Sequence, residues 1–284
     1  MQAQQARSLE GWVAFLSQAE IPVLKQTARD LATLHEDAEN ISARGVTAII
    51  ARDPMMTVKL LRYLQQNKHS RQVHEVLEIE QALLMMGVEG FFRKLPPEPL
   101  MDEVLRGHMQ SLVHLLRVLH RSQRASSYAF DWAVYYLHDL HFEEVRIAAL
   151  LHDLAEMLMW CFAPAEMLKI HNMQLQDKTL RSFDAQEQIF GFPLTALQLA
   201  LAREWSLPKL LLTLMDEECA EDARVRNVIL AVNLARHSAN GWDDAALPDD
   251  YRDIGKLLGK EAEDVMVVIG VDAGTVCDLD EPHP

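Results

Sequence analysis

The chain of 284 residues is long enough for one large or two modest domains, each with its own hydrophobic core. Hydrophobic residues make up 49% of the chain and charged residues 24%, an ordinary balance for a soluble globular protein. The net charge of −15 is concentrated in residues 108–284, which contain 15 Lys and Arg against 28 Asp and Glu. Because affinity for nucleic acids depends on clustered cations, the sequence predicts no nucleic-acid partner.

The cysteines and the N-terminus indicate the cellular compartment. Cys161, Cys219 and Cys277 are far apart in the sequence and form no CxxC pair, which favours a reducing environment. Residues 1–5 lack the basic and apolar regions of a signal peptide. No apolar run approaches the roughly 18 residues that a membrane-spanning helix needs. We therefore expect a cytoplasmic protein with no membrane partner.

The spacing of apolar residues in the first half is helical. Apolar residues recur every three or four positions within residues 24–35, which predicts an amphipathic helix. Asp53 is a suitable N-cap and Pro54 a suitable first helical residue, so a second helix is predicted to begin there. A third is predicted over residues 80–86, ending near Gly87.

Residues 95–99 contain three prolines and cannot continue a helix, which predicts a break between two domains. The predicted segments are an N-terminal extension at 1–20, a helical bundle at 21–95, a linker at 96–107, a second bundle at 108–269 and an acidic tail at 270–284.

Helical periodicity continues after this break, so the predicted fold class is all-α, with two helical bundles. Alanines at four-residue spacing within residues 122–138 predict a helix that packs closely against a neighbour. Further helices are predicted at 102–116, 143–161 and 227–238, and another is predicted to begin after Leu207-Pro208. Asp184 and Glu187 resemble a capping box, which predicts a helix that begins there and is interrupted at Gly191 and Pro193. The last predicted helix covers residues 251–258 and stops at Gly259.

The pair His152-Asp153 lies in the most apolar predicted helix and offers two metal ligands, an imidazole and a carboxylate. A catalytic metal needs at least three protein ligands, and no third is evident from the sequence. His138 with His141, and the acidic run 216–218 followed by Glu221-Asp222, are interpreted as surface groups. The chain contains no GxxxxGK[ST], GxGxxG or GxSxG motif.

Several segments, taken in their order and spacing, resemble the HDOD domain, the HD-related output domain of bacterial signalling proteins. The matching segments are residues 21–24, 49–62, 80–87, 150–156, 190–192, 205–208 and 231–235. The resemblance covers roughly residues 21–258 and implies that the C-terminal bundle is HD-like.

Active HD hydrolases bind metal through a first His, the His-Asp pair, often further His residues, and a last Asp. The resemblance places the corresponding positions at Arg121, His152, Asp153, Leu194, Asp216, Glu217 and Asn233. His120 is one residue from the first position, which is about 100° of helical rotation, and so should point elsewhere. The resemblance thus implies a degenerate site with no metal, and His152 with Asp153 as the ligands if any metal binds.

The expected function is that of a non-catalytic signalling module without a cofactor, acting on a protein partner in trans. A small molecule is expected to bind in a cleft between the bundles near Pro96-Pro97, since ligand sites favour domain interfaces. The first alternative is a divergent metal-dependent phosphohydrolase acting on a nucleotide or cyclic dinucleotide, in which Asp216, Glu217 or Asn233 replaces the missing histidines. The second alternative is a sensor that binds a nucleotide through Arg121 without cleaving it.

Overall fold

The computed structural model describes residues 8–37, 41–67, 78–216 and 219–271. Helices account for the regular structure of these residues, which contain no β-strand, and the all-α prediction is confirmed. An isolated parallel bridge joins Val23 to Leu100. Glu217, Cys277 and nearly all of the predicted acidic tail lie outside the described residues.

The helices form two units that are interleaved along the chain. Unit 1 consists of residues 1–119 and 153–208, and unit 2 of residues 120–152 and 209–284. The domain boundaries predicted from the sequence instead divide the chain into consecutive segments. Those boundaries stay a prediction.

The first unit is built largely from short helices. Its helices are α1 (Leu9–Gln18), α2 (Lys25–Glu36), α3 (Ala43–Ile50), α4 (Pro54–Gln66), α5 (Ile79–Met86), α6 (Val88–Lys94), α7 (Met101–Val104), the first part of α8 (Met109–Tyr135), α10 (Leu154–Phe162), α11 (Pro164–Gln176), α12 (Ser182–Phe190) and α13 (Leu194–Glu204). The side chains of Ser8 and Ser42 cap α1 and α3.

The second unit contains the rest of α8 and the helices that pack on it. These helices are α9 (Phe142–Leu151), α14 (Lys209–Leu214), α15 (Ala223–His237), a short 3₁₀ helix (Ser238–Asn240), α16 (Leu247–Leu258) and α17 (Ala262–Val268). Asn227 Nδ2 donates to the carbonyl of Ala129 at 3.0 Å and so links α15 to α8. Helix α9 packs against both α14 and α15.

Asp53 caps α4 as predicted, and it also fixes the start of α2. Its fully buried carboxylate accepts hydrogen bonds from Met55 N at 2.9 Å and Met56 N at 3.1 Å. It accepts a third from Leu24 N at 3.0 Å. Burial raises the pKa of the Asp53 carboxyl, while these donors oppose that rise. One side chain therefore joins the beginnings of two helices.

The proline-rich segment is part of the packing of unit 1. Val23 N donates to the carbonyl of Pro99 at 2.9 Å, and Met101 N donates to the carbonyl of Val23 at 3.0 Å. The ammonium of Lys59 on α4 donates to the carbonyl of Pro96 at 3.2 Å. The segment is thus held by hydrogen bonds to α4 and to Val23, two residues before α2 begins.

Two helix boundaries differ from the prediction. The predicted helices at 102–116 and 122–138 are largely one continuous helix, α8, because nothing between them is a Gly or Pro that would end it. The predicted capping box at Asp184 is wrong: α12 begins at Ser182, which leaves Asp184 inside the first turn, and its N-cap residue Arg181 makes no side-chain cap.

The glycines that were predicted to end helices do so. Gly191 and Gly259 have φ values of 82° and 66°, so both terminate their helices, α12 and α16, in the left-handed region that glycine tolerates best.

Within the described ranges no single helix has the length and apolar character to cross a membrane. Only the strongly bent pair formed by residues 142–162 and 164–176 reaches that length and apolar character together.

Candidate functional site

The pair His152-Asp153 lies at a turn between two helices, so the predicted continuous helix at 143–161 is wrong. Helix α9 ends at Leu151 and α10 begins at Leu154. His152 keeps helical dihedral angles, but Asp153 has φ −99° and ψ 24°, which interrupts the helix. Both residues are half-buried. His152 ends the first segment of unit 2, and Asp153 begins the second segment of unit 1.

Four of the HD-type positions lie in unit 2. Arg121 is on α8, His152 follows α9, Asp216 follows α14 and Asn233 is on α15. The helices that carry them are neighbours, because α9 packs on α14 and α15, and α15 is bonded to α8. These positions offer one imidazole and one carboxylate as strong metal ligands, together with a guanidinium and a neutral amide.

The other two described positions lie in unit 1. Leu194 begins α13 and is 5% exposed, and its backbone N–H donates a hydrogen bond to Gln186 Oε1 at 2.8 Å. Four residues further on, Gln198 Oε1 accepts from Ala155 N, at 2.7 Å, near the start of α10. Leu194 is a core residue that positions α13, and its side chain contains no metal ligand.

These residues do not fit a catalytic metal centre. Nowhere in the described ranges do three or more His, Cys, Asp or Glu side chains form a group that could hold a metal ion. Of the described HD-type positions, Arg121, Leu194 and Asn233 lack the imidazole or carboxylate that divalent metals prefer. The exposed residues His138 and His141 belong to no such group, and His141 Nδ1 lies 3.3 Å from Glu144 Oε1.

Arg124, one helical turn after Arg121, organises unit 2 and was not singled out by the sequence. Its guanidinium lies over the rings of Tyr128 and Trp242 at 5.7 and 5.6 Å. It also donates to the carbonyl of Ser238 at 3.2 Å and to its hydroxyl at 3.1 Å. The cation thus ties α8 to the 3₁₀ helix that follows α15.

His237 and Asp250 form a second link in unit 2, between α15 and α16. His237 Nδ1 lies 2.6 Å from Asp250 Oδ2, and Asp250 is 7% exposed. The hydrogen bond to Asp250 raises the pKa of His237 above its ordinary value of 6.5. The protonated imidazole is therefore favoured in the folded protein.

This link makes stability depend on pH. Its contribution should be fully present below the ordinary His pKa of about 6.5 and lost as the pH rises through the raised folded-state value. We expect the wild type to be more stable than His237→Gln at about pH 6, with a smaller difference at about pH 9. Urea unfolding of both proteins across this range measures the difference. His120→Gln, at an exposed position on α8, is the control and should show no such trend.

A pocket of about 700 Å³ lies beside the proline-rich segment. The ligand cleft expected between the two bundles stays a prediction. The pocket lies within unit 1, and its walls include Glu20, Lys59, Arg62, Tyr63, Lys94 and Pro96. The sequence contained a signal for its buried cation, Lys59. Every residue from Pro54 to Leu61 in α4 is buried, so Lys59, in the middle of that apolar run, had to be buried as well.

Comparison with known proteins identifies the architecture. The HDOD domain model matches residues 21–219. The fold resembles that of the MmoQ response regulator from Methylococcus capsulatus, with a TM-score of 0.63 and 16% identity over 89% of this chain and 98% of that one. It also resembles a virulence factor from Campylobacter jejuni, with a TM-score of 0.60 and 15% identity over 96% and 94% of the two chains. At these identities the likeness shows the fold alone. No curated protein sequence matches significantly.

Proposed function

The chain belongs to the HDOD family, and on that premise we propose that it is a non-catalytic signal-transduction module acting by contact with a protein partner in trans. The match of the HDOD domain model to residues 21–219 confirms the family that the sequence segments predicted. The module works without a metal or cofactor, and its HD-type site is degenerate.

The observation that carries this proposal is the set of side chains at the HD-type positions. Arg121 stands where an active enzyme has its first metal-binding His, and a cation there would repel a metal ion. Leu194, buried in the core of unit 1, stands where a further His is expected. Asn233 replaces the final Asp and brings no negative charge. A hydroxide nucleophile needs a metal with a complete ligand set, which these residues do not supply.

Metal content and turnover test the non-catalytic proposal. The protein is loaded with Mn²⁺, Fe²⁺ or Zn²⁺, desalted without chelators, and examined by elemental analysis. We expect far less than one metal per chain, on the order of 0.1 or below. Hydrolysis of bis(p-nitrophenyl) phosphate and of cyclic dinucleotides should not exceed that of a His152→Ala, Asp153→Ala double variant. Stoichiometric metal that His152→Ala removes, together with turnover, would establish the phosphohydrolase alternative instead.

The contact with a partner needs a separate test. Proteins that co-purify with the full chain are expressed and tested individually with purified components. We expect one of them to bind with a Kd in about the micromolar range or tighter. The double variant His152→Ala, Asp153→Ala should bind it equally well, because the HD-type pair is not used for chemistry. Saturable nucleotide binding that Arg121→Ala abolishes, with no protein bound, would favour the sensor alternative.

A further inference from the structure

The pocket of unit 1 has the size and walls of a small-molecule site. Its volume of about 700 Å³ falls in the range of roughly 300–1,000 Å³ that is typical of ligand pockets. Tyr63, Leu95, Pro96 and Pro99 give it apolar walls, and Leu95 is 4% exposed. The hydrogen bonds of the proline-rich segment fix the position of these walls before any ligand binds.

Lys59 places a buried positive charge at this pocket. The residue is 4% exposed, and its ammonium donates to the carbonyls of Pro96 and Glu98. Its ion-pair partner is Glu20, whose carboxylate lies 3.6 Å away and whose side chain is 74% exposed. Burial lowers the pKa of Lys59. The ammonium thus supplies charge to the pocket and, through its hydrogen bonds to the two carbonyls, holds the wall in place.

Arg62, one turn along α4, has donors to spare. Its Nη1 donates to the carbonyl of Ala19 at 3.1 Å, and its guanidinium carbon lies 5.4 Å from the centre of the Trp205 ring. Burial also lowers the pKa of Arg62. A guanidinium has five N–H donors, and within the described residues Ala19 provides its one hydrogen-bond acceptor. The remaining edge of this fixed, planar group suits two oxygens of a carboxylate or phosphate.

The distribution of charge favours an anion beside Lys59 and Arg62. Lys59 is buried and Arg62 is half-buried, and both interact with the single carboxylate of Glu20. The other charged wall residues, Lys94, Glu98 and Glu103, are exposed. Water and salt screen exposed charges far more than buried ones, so the buried Lys59 and the half-buried Arg62 dominate the local potential.

We propose that this pocket binds a small organic anion, with its carboxylate or phosphate oxygens on the Arg62 guanidinium and its apolar body against Tyr63 and the prolines. The inference goes beyond the proposed function, since it depends on neither the HD-type positions nor the protein partner. It places the ligand site inside unit 1.

Binding of three matched probes to the full chain tests this proposal. Phenyl phosphate and benzoate carry an oxyanion on an aromatic ring, and benzyl alcohol is their neutral counterpart. By calorimetry, we expect at least one of the two anions to bind saturably with a Kd of about 1 mM or tighter. Benzyl alcohol should bind at least about tenfold more weakly. Absence of saturable anion binding, or equal binding of benzyl alcohol, would overturn the proposal.

Variants then assign the anion to Arg62. Arg62→Gln should weaken anion binding at least about tenfold, and Arg62→Lys less, because it keeps the charge but loses the planar fork. Arg93→Gln, at an exposed position on α6 outside the pocket walls, should bind as the wild type does. Circular dichroism establishes that each variant is folded. Folded Arg62→Gln that binds the anions unchanged would contradict the proposal.

A second variant keeps the test decisive if the Arg62 substitutions disturb folding. Glu20→Gln removes the exposed carboxylate that competes for both cations, with little effect on packing. It should tighten anion binding several-fold and leave the binding of benzyl alcohol unchanged. Unchanged or weaker anion binding in Glu20→Gln would also overturn the proposal.

Discussion

Replacing Asp53 by Ala is expected to lower the free energy of unfolding by about 3–5 kcal/mol, since each buried donor left unsatisfied costs roughly 1–3 kcal/mol. The carboxylate accepts three backbone N–H groups at the starts of α2 and α4, and the residue is 0% exposed. Truncation leaves these groups without an acceptor and opens a small cavity. The effect should therefore exceed that of an ordinary N-cap.

The matched control is Asp222, which caps α15 from an exposed position by accepting from Arg224 N at 2.8 Å. Asp222→Ala should cost only about 1 kcal/mol, because water can replace the lost oxygen. Asp53→Asn, which keeps one acceptor oxygen, should fall between the two substitutions. Urea unfolding followed by circular dichroism measures all three. If the two alanine variants are equally stable, Asp53 is no more than a surface cap.

The sequence predicts helix ends well where a residue type has its own backbone preference. Asp53 with Pro54 begins α4, and Gly191 and Gly259 end their helices, as local chemistry requires. It predicts continuity poorly where no such residue is present. Helix α8 runs through the expected break after residue 116, whereas the apolar stretch at 143–161 breaks at His152-Asp153 without any Gly or Pro. The absence of Gly and Pro therefore allows a helix to continue but does not require it, and apolar periodicity does not distinguish the two cases.

The candidate sites divide in a similar way. The HD-type positions followed from motif spacing, because that spacing identifies which helices carry them. The pocket at Lys59 and Arg62 required knowing that the proline-rich segment folds back on α4, a contact between residues 37 positions apart. The only local signal was a lysine inside an apolar helical run, and burial of that lysine says nothing about a cavity beside it.

Replacing Gly255 by Ala is expected to destabilise unit 2 by about 2–4 kcal/mol, as overpacking against rigid backbone does. A Cβ atom at this position of α16 would lie 2.5 Å from the carbonyl oxygen of Lys260. The chain approaches so closely because Gly259 turns it back, and Lys260 N donates to the carbonyl of Gly255 at 2.9 Å. The added methyl group must separate these segments, which also moves Lys260 away from the ring of Tyr136, the residue after α8.

Gly90→Ala in α6 is the matched control. It shows the general effect of adding a methyl group to a helical glycine without the clash found at Gly255. A Cβ at Gly90 meets no atom within 4 Å, and its φ is not positive. Gly90→Ala should therefore stabilise the protein by about 0.4–1 kcal/mol through the lower entropy of the unfolded chain. The two variants should thus change the free energy of unfolding in opposite directions, as measured by urea titration of the full chain. Equal changes of the same sign would show that the return of the chain at Lys260 adjusts freely to a side chain at Gly255.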